Sequence, residues 1–199
     1  MRQLYCLGDS LTFGLGVRRQ ERWTGLVEQA TGIPIRNLGC NGDTTGGMLV
    51  RLNSQILSHH NAGTVPSELA GVLLMGGSND IFYSGSAAAA RGNMGAMIHE
   101  TLSAGLQPVV GIPLPVDPAL APQRWADVVD FRQAAVLLEE YARWLKDFSA
   151  AFSVKTVDFR EDFLNPDGTV VRELYLDGLH PNREGHQKMA ARLTAFLKP

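Results

Sequence analysis

Short runs of Val, Ile and Leu alternate with longer amphipathic segments along the whole chain. The short runs show no polar alternation, which is typical of parallel strands that are buried on both faces. They predict five strands, at Gln3–Leu7, Ile33–Leu38, Gly71–Met75, Pro108–Ile112 and Val154–Phe159. The longer segments predict five helices, at Arg22–Thr31, Thr45–Ser58, Ala88–Ala104, Phe131–Phe152 and Asn182–Leu197. Strands separated by helices in this way predict a three-layer α/β/α sandwich with a five-stranded parallel sheet.

Composition narrows the class of protein. The chain has 199 residues, 45% of them hydrophobic, and shows no linker or internal repeat, so we expect a single domain over residues 1–199. The net charge is −2 and no basic stripe is visible, which argues against a nucleic-acid partner. The longest apolar run, near Val72–Met75, is far shorter than the roughly 20 residues that cross a bilayer, so we expect no stable membrane insertion.

The start of the chain predicts a cytoplasmic location. Met1-Arg2-Gln3 leads directly into the first predicted strand, which leaves no room for a signal peptide. A periplasmic or secreted location is the alternative if a leader has been removed. Further along, the segment 113–122 holds four prolines and is the one extended irregular loop. The sequence does not determine whether residues 113–125 act as a lid over a bound substrate.

Two segments at opposite ends of the chain carry the residue types of a serine hydrolase. Gly8-Asp9-Ser10-Leu11 ends the first strand, and Asp177-Gly178-Leu179-His180 precedes the last helix. A serine hydroxyl becomes a good nucleophile when a histidine accepts its proton, and the histidine needs an anion to hold its tautomer. Two segments that begin with glycine, 39–42 and 77–80, contain hydrogen-bond donors for a developing oxyanion. All four segments belong at the carboxyl edge of the sheet, where ligands of open α/β sheets bind.

Each of these residues also has a plain structural interpretation. Ser10 could cap a helix, Gly42 could serve a turn, and Asn79 and Asp80 could cap the helix that follows them. Asp43-Thr44 is expected to cap the next helix. An Asp-x-x-His pair could also ligate a metal, but the sequence offers no further cluster that would complete the shell, so no metal is expected.

In this order and with these residues, the four segments resemble the SGNH superfamily, also called the GDSL hydrolases, over nearly the whole chain. The resemblance implies a flavodoxin-like strand order, 2-1-3-4-5, and a reaction without cofactors. It implies Ser10 as nucleophile, His180 as base and Asp177 as the acid that orients the base. It also implies an oxyanion hole formed by the Ser10 amide, Gly42 and Asn79, and a structural hydrogen-bonding role for Asp9.

The resemblance therefore implies a carboxylic ester hydrolase that forms an acyl-enzyme and takes a small-molecule ester as substrate. Relatives include lysophospholipases and thioesterases, and the apolar residues near the motifs favour short to medium acyl chains. Ile81, Phe82 and Leu179 are the candidate substrate contacts. Further apolar candidates, for which a place in the core is the alternative, are Leu15, Val17, Trp23, Tyr83 and Trp125.

Two other functions stay open at this point. A carbohydrate O-acetylesterase would use the same fold and the same residues. A non-catalytic nucleotide-binding module on a flavodoxin-like sheet is the second alternative, although it leaves the pairing of Asp177 with His180 unexplained. The sequence does not determine the oligomeric state.

Overall fold

A parallel sheet of five strands forms the centre of the protein. The computed structural model describes residues 3–61, 69–125 and 129–198. The strands are β1 (Gln3–Gly8), β2 (Ile35–Gly39), β3 (Leu69–Met75), β4 (Pro108–Ile112) and β5 (Lys155–Asp158). Their order across the sheet is β2-β1-β3-β4-β5, and every neighbouring pair is parallel. The predicted sheet and its implied strand order are confirmed.

Helices cover both faces of this sheet. They are α1 (Ser10–Phe13), α2 (Trp23–Thr31), α3 (Thr45–Leu52), α4 (Ser58–Asn61), α5 (Ser78–Ser84), α6 (Ala88–Ser103), α7 (Pro122–Trp125), α8 (Phe131–Ala151) and α9 (Arg183–Leu197). Four of the five predicted helices agree with the observed ones to within one residue at each end. Among the described residues, no helix combines the length and the apolar character needed to cross a membrane.

The predicted helix over Thr45–Ser58 differs from the observed structure. Helix α3 ends at Leu52, a π-helical turn covers Asn53–Leu57, and α4 follows it. In this turn Asn53 Nδ2 donates to the Leu49 carbonyl at 3.2 Å, and Ser54 Oγ donates to the Val50 carbonyl at 2.9 Å. Such bonds from side chains compete with the backbone ladder and disturb a regular helix.

Buried side chains lie on both faces of the inner strands. Along β1, Tyr5 and Leu7 pack into the cluster that also contains residues of α3, α6 and α8. Leu4 and Cys6 point to the other face and pack with residues of α2 and α9. Because successive side chains of a strand face opposite sides, an uninterrupted apolar run is what two covered faces require.

The proline-rich segment is tied to the loop that precedes α9. The Asp117 amide donates to the Gly178 carbonyl at 2.9 Å, and the Asp117 carboxylate pairs with Arg172 at 2.7 Å. The Tyr175 hydroxyl donates to the Pro115 carbonyl at 2.6 Å. These bonds hold the end of β4 and its following loop against the segment that carries Asp177 and His180.

The strand register brings three loops to one level at the carboxyl edge. Gly8, the last residue of β1, pairs with Gly39 of β2 and with Met75 of β3. Helix α1 then packs so closely on β2 that a Cβ atom on Gly39 would lie 2.0 Å from the Phe13 backbone nitrogen. The absence of a side chain at Gly39 therefore permits the position of α1, which begins at Ser10.

We expect Gly39→Ala to destabilise the protein by about 1–3 kcal/mol, because the new methyl group must push α1 and β2 apart. Urea unfolding of the purified variant measures this change. The matched control is Gly92→Ala in α6, where an added Cβ meets nothing within 4 Å. That change should stabilise the helix by about 0.5–1 kcal/mol. Equal stability of Gly39→Ala and the wild type would contradict the packing argument.

Two buried titratable side chains, His186 and Asp9, make the stability of the fold depend on pH. His186 of α9 is fully buried, and its Nδ1 accepts a hydrogen bond from the Trp23 amide at 3.3 Å. Burial, assisted by the charge of Arg22, lowers the pKa of His186 from 6.5 to about 4. Asp9 has the opposite effect, since burial raises its pKa from 3.8 to about 6.

Below pH 6.5 the unfolded chain binds a proton at His186 that the folded chain excludes until pH 4. The stability from the neutral His186 is therefore present above pH 6.5 and lost as the pH falls toward 4. Asp9 binds its proton at a higher pH in the folded chain than in the unfolded chain, and this offsets part of the loss between pH 6 and 3.8.

We expect His186→Gln to remove the loss that His186 causes. The free energy of unfolding, measured in urea from pH 7 to 4.5, should then fall less with acid than in the wild type. Parallel pH profiles of the two proteins would refute this assignment.

Candidate active site

The turn after β1 presents Ser10 at the start of a short helix. Asp9 is the N-cap of α1, and its Oδ1 accepts a hydrogen bond from the Leu11 amide at 2.9 Å. The Asp9 carboxyl group is buried, and its second oxygen has no partner among the described residues. Ser10 is the first residue of the helix and lines a cavity. Asp9 therefore shapes the turn that aims the Ser10 side chain.

Ser10, His180 and Asp177 form a continuous hydrogen-bonded chain. Ser10 Oγ lies 2.9 Å from His180 Nε2, and His180 Nδ1 lies 2.8 Å from Asp177 Oδ2. Because a carboxylate can only accept, Nδ1 carries the ring proton, and Nε2 is left to accept the proton of the serine hydroxyl. These contacts join residues from opposite ends of the chain in the arrangement of a nucleophile, a base and an orienting acid.

The acid and the base belong to one local turn. Asp177 Oδ1 accepts hydrogen bonds from the amides of Leu179 and His180, at 2.9 and 2.8 Å. Burial opposes ionisation of Asp177, but the hydrogen bonds from the His180 ring and from these amides outweigh it and lower the pKa to about 2. The carboxylate is therefore an anion at neutral pH. No group of three or more His, Cys, Asp or Glu side chains able to hold a metal occurs in the described parts of the chain.

Gly178 determines how this turn packs. Its φ of 85° is in the left-handed region, which favours glycine. A Cβ at this position would lie 2.5 Å from the Ala121 backbone nitrogen. The turn carrying Asp177 and His180 therefore packs directly on the backbone of the proline-rich segment.

Gly42 and Asn79 lie on the same cavity as Ser10. Gly42 follows β2 in a left-handed conformation, with φ of 73°. Asn79 Nδ2 donates to the Asp43 carbonyl at 2.8 Å, which uses one of its two N–H groups. Within residues 3–61, 69–125 and 129–198, neither the Ser10 amide nor the Gly42 amide has a backbone acceptor. In this described part of the chain, the cavity therefore adjoins three groups that each have an N–H without a backbone acceptor, namely the Ser10 amide, the Gly42 amide and the Asn79 side chain.

The capping roles considered for these residues are partly wrong. Thr44 caps α3 as predicted, through its contact with the Gly47 amide. Asn79 and Asp80 do not cap α5, whose N-cap is Gly77. Asp80 instead accepts two hydrogen bonds from Thr45, one from its amide at 2.9 Å and one from its hydroxyl at 2.6 Å. Asp80 thus ties α5 to the start of α3.

The cavity beside these groups has a volume of about 380 Å³ and is mainly apolar. Its aliphatic and aromatic lining comprises Leu11, Leu15, Phe82, Tyr83, Leu114, Pro115, Val116, Trp125, Val129, Phe131, Leu138 and Leu179. Phe82 and Phe131 meet edge to face with ring centroids 5.8 Å apart. The Trp125 ring lies 6.1 Å from the His180 ring at the cavity wall.

Two predicted substrate contacts, Phe82 and Leu179, line this cavity, but the third does not. Ile81 is 1% exposed and packs in the core. Adjacent residues of a helix point to different faces, so Ile81 of α5 faces the core while Phe82 faces the cavity. Trp23 is also a core residue, and its Nε1 donates to the Leu11 carbonyl at 2.9 Å. Val17 does not line the cavity, whereas Leu15, Tyr83 and Trp125 do.

One side of the lining was not anticipated. Leu114 and Val116 follow β4, and Phe131 and Leu138 come from α8. The rule that ligands gather beyond the carboxyl ends of strands is a signal that could have identified the residues after β4. The contribution of α8 has no signal in the sequence, because its apolar positions are equally consistent with a core helix.

Solved structures share this fold. An aryl esterase from M. smegmatis matches with a TM-score of 0.79 and 20% identity, over 99% of this chain and 98% of that one. A carbohydrate acetylesterase from Sinorhizobium meliloti matches with a TM-score of 0.79 and 21% identity, also over 99% and 98%. A member of the lipolytic G-D-S-L family from Veillonella parvula reaches 0.81 at 19% identity, over the same shares. At these identities the similarity concerns the fold.

Sequence comparison identifies the family. No curated protein matches the chain significantly. The model of the GDSL-like lipase/acylhydrolase family matches residues 6–188, which include all four motifs of the site. The match removes the non-catalytic nucleotide-binding alternative. The chain belongs to the GDSL-like lipase/acylhydrolase family and is, on that ground, a carboxylic ester hydrolase.

Proposed function

We propose that the protein hydrolyses esters of short to medium acyl chains through an acyl-enzyme on Ser10. The observation that carries the proposal is the hydrogen-bonded chain from Ser10 Oγ through His180 to Asp177 beside an apolar cavity. In the first step Ser10 Oγ attacks the acyl carbon while His180 Nε2 takes the hydroxyl proton. Asp177 accepts the Nδ1–H bond throughout and stabilises the imidazolium that forms.

The negative charge that develops on the carbonyl oxygen needs donors already in place. The amides of Ser10 and Gly42 and the side chain of Asn79 are the proposed donors. None of them carries a charge, and each adjoins the cavity where the carbonyl would lie. Loss of one such donor typically lowers kcat by about 10²–10³-fold.

The second half of the reaction uses the same groups. His180 gives its proton to the leaving alcohol oxygen as the tetrahedral intermediate collapses, which leaves the acyl group on Ser10. Water then transfers a proton to His180 and attacks the acyl carbon. Collapse of this second intermediate breaks the bond to Ser10 Oγ, which regains its proton from His180 and releases the carboxylic acid.

The cavity supports an apolar acyl group over an acetylated sugar. Its volume of about 380 Å³ is at the lower end of the range of roughly 300–1,000 Å³ for small-molecule sites, which favours small substrates. Away from the catalytic groups most of its lining is aliphatic or aromatic, whereas sugar hydroxyls need polar partners. Lysophospholipids and acyl thioesters have the same reacting carbonyl chemistry and are further candidate substrates. Carbohydrate O-acetyl esters are the alternative.

We expect Asp177→Asn to lower kcat by roughly 10³–10⁴-fold with little change in stability. The Leu179 and His180 amides hold one side-chain oxygen in place, so the new NH₂ group would face His180 Nδ1. An NH₂ group facing Nδ1 of His180 favours the tautomer that carries its proton on Nε2. In that tautomer Nε2 cannot accept the proton of the Ser10 hydroxyl.

A matched control for this change is Asp167→Asn, which alters an exposed aspartate whose Oδ1 accepts the Thr169 amide at 2.9 Å. Steady-state kinetics and thermal unfolding of both variants give the comparison. Wild-type turnover in Asp177→Asn would remove this carboxylate from the mechanism.

The substrate class is tested with p-nitrophenyl esters from acetate to palmitate. We expect the highest kcat/KM at short to medium chains, because the cavity is small, and loss of hydrolysis in Ser10→Ala. Ser54→Ala, an exposed serine whose hydroxyl donates to the Val50 carbonyl, is the matched control. Acetylated xylan, a lysophospholipid and an acyl thioester are assayed beside the series.

Each outcome has a defined meaning. Activity that Ser10→Ala retains would overturn the proposed nucleophile. Faster deacetylation of xylan than hydrolysis of any acyl ester would replace the proposal with a carbohydrate esterase. A clear preference for the lysophospholipid or the thioester would keep the mechanism and change the substrate.

A further inference from the structure

One guanidinium group lies directly behind the loop that carries Gly42. Arg51, near the end of α3, has a side chain that is 17% exposed. Its Nη1 donates to the Leu38 carbonyl at 2.5 Å, and its Nη2 donates to the Gly8 carbonyl at 2.8 Å. Leu38 lies at the end of β2, and Gly8 is the residue before the Asp9–Ser10 turn. Arg51 therefore joins the ends of the two strands that lead into the site.

The same guanidinium group also holds Asp43, the neighbour of Gly42. Arg51 Nε and Nη2 both donate to Asp43 Oδ2, at 2.9 and 2.5 Å. The backbone of Asp43 is bonded to Gly42 and, through its carbonyl oxygen, accepts the hydrogen bond from Asn79 Nδ2 at 2.8 Å. Asp43 is thus in contact with both oxyanion donors that lie outside the nucleophile turn.

A glycine in α3 leaves room for this carboxylate. A Cβ atom on Gly47 would lie 1.9 Å from Asp43 Oδ1. Glycine in a helix lowers its stability, so a glycine here is a cost that the close approach of Asp43 explains. Helix α3 therefore leaves space at Gly47 for Asp43 Oδ1, and its Arg51 donates hydrogen bonds to Asp43 Oδ2.

We infer that Arg51, acting through Asp43, is a positioning residue for the oxyanion hole, an inference that rests on the proposed function. Arg51 touches neither Ser10 nor the cavity, and its effect is exerted on Gly42 and Asn79. Fixed donors stabilise a developing oxyanion without reorganising during the reaction, which is why their placement affects turnover. Arg51 also pairs with the Asp43 carboxylate, one residue from Gly42. Without this partner, the charge of Asp43 would oppose negative charge on the substrate oxygen.

This role differs from a simple link between a helix and a loop. A residue that only stabilises the fold lowers the free energy of unfolding and leaves the kcat of the folded fraction unchanged. A positioning residue for the oxyanion hole lowers kcat with little change in KM, because the oxyanion exists only beyond the ground state. It also weakens the binding of an inhibitor that forms an oxyanion on Ser10.

The test compares Arg51→Gln, Arg51→Lys and Asp43→Asn on the best p-nitrophenyl ester. We expect Arg51→Gln to lower kcat by about 10–100-fold, since small misplacements in an active site can cost 10²-fold, and to change KM less than about threefold. Arg51→Lys should recover part of the loss, because an ammonium group keeps the charge and part of the donor set. Affinity for an alkyl trifluoromethyl ketone, which forms a hemiketal oxyanion on Ser10, should fall in proportion to kcat/KM.

Arg192→Gln is the matched control. Arg192 is also partly exposed and pairs with two carboxylates, Glu161 and Asp162, away from the site. Its replacement should lower thermal stability and leave kcat unchanged. Thermal unfolding of every variant separates loss of folded protein from loss of turnover.

The outcomes separate this inference from the proposed function. Turnover of Arg51→Gln equal to that of the wild type would overturn the inference alone, as would equal losses of kcat in Arg51→Gln and Arg192→Gln. If Arg51→Gln does not fold, wild-type kcat in both Arg51→Lys and Asp43→Asn would overturn it. A wild-type protein without Ser10-dependent hydrolysis would overturn the proposed function and this inference with it.

Discussion

The site depends on a parallel register that ends three neighbouring strands at one level. Gly8 pairs with Gly39 on one side and with Met75 on the other, so the turns after β1, β2 and β3 lie side by side. A shift of one residue in β1 would turn its buried side chains to the opposite faces of the sheet. The two hydrophobic clusters that cover the sheet therefore maintain the register, and the register places Ser10, Gly42 and Asn79 around one cavity.

Close to that cavity, three carboxylates are already paired with neighbouring groups. Asp43 pairs with Arg51, Asp80 accepts two hydrogen bonds from Thr45, and Asp177 accepts three hydrogen bonds from its own turn. Buried polar groups without partners are costly, so such pairing is expected in a folded protein. Within the described residues, the backbone donors left over at this edge include those of Ser10 and Gly42, the two amides in the proposed oxyanion hole. Polar pairing elsewhere thus restricts where an oxyanion can be stabilised.

The sequence predicted the sheet and the pairing of Asp177 with His180 because each leaves a local pattern. The place of Ser10 beside them was predicted from the motif positions at the strand ends and from the family resemblance. Buried strands appear as uninterrupted apolar runs, and the Asp-x-x-His spacing places the acid and the base in one turn. The orientation of Ile81 could not be predicted, because α5 is too short to show a helical period that separates it from Phe82. The wall formed by Phe131 and Leu138 could not be predicted either, since an apolar stripe on α8 does not reveal which of its residues face a cavity. The π-helical turn after α3 depends on hydrogen bonds from side chains that an apolar pattern does not record.

The position of the acid–base turn has a consequence for when the enzyme becomes active during synthesis. Asp177 and His180 can pair as soon as their own turn forms, but Ser10 lies 170 residues away from His180, its proposed base. The serine leaves the ribosome early in a chain that still lacks the base, and its hydroxyl then has the reactivity of any other serine. On the proposed mechanism, activity begins only when the last loop and α9 pack on the finished sheet. With the proposed catalytic residues, ester hydrolysis by this protein therefore requires complete folding, and a nascent chain released before residue 177 would be inactive.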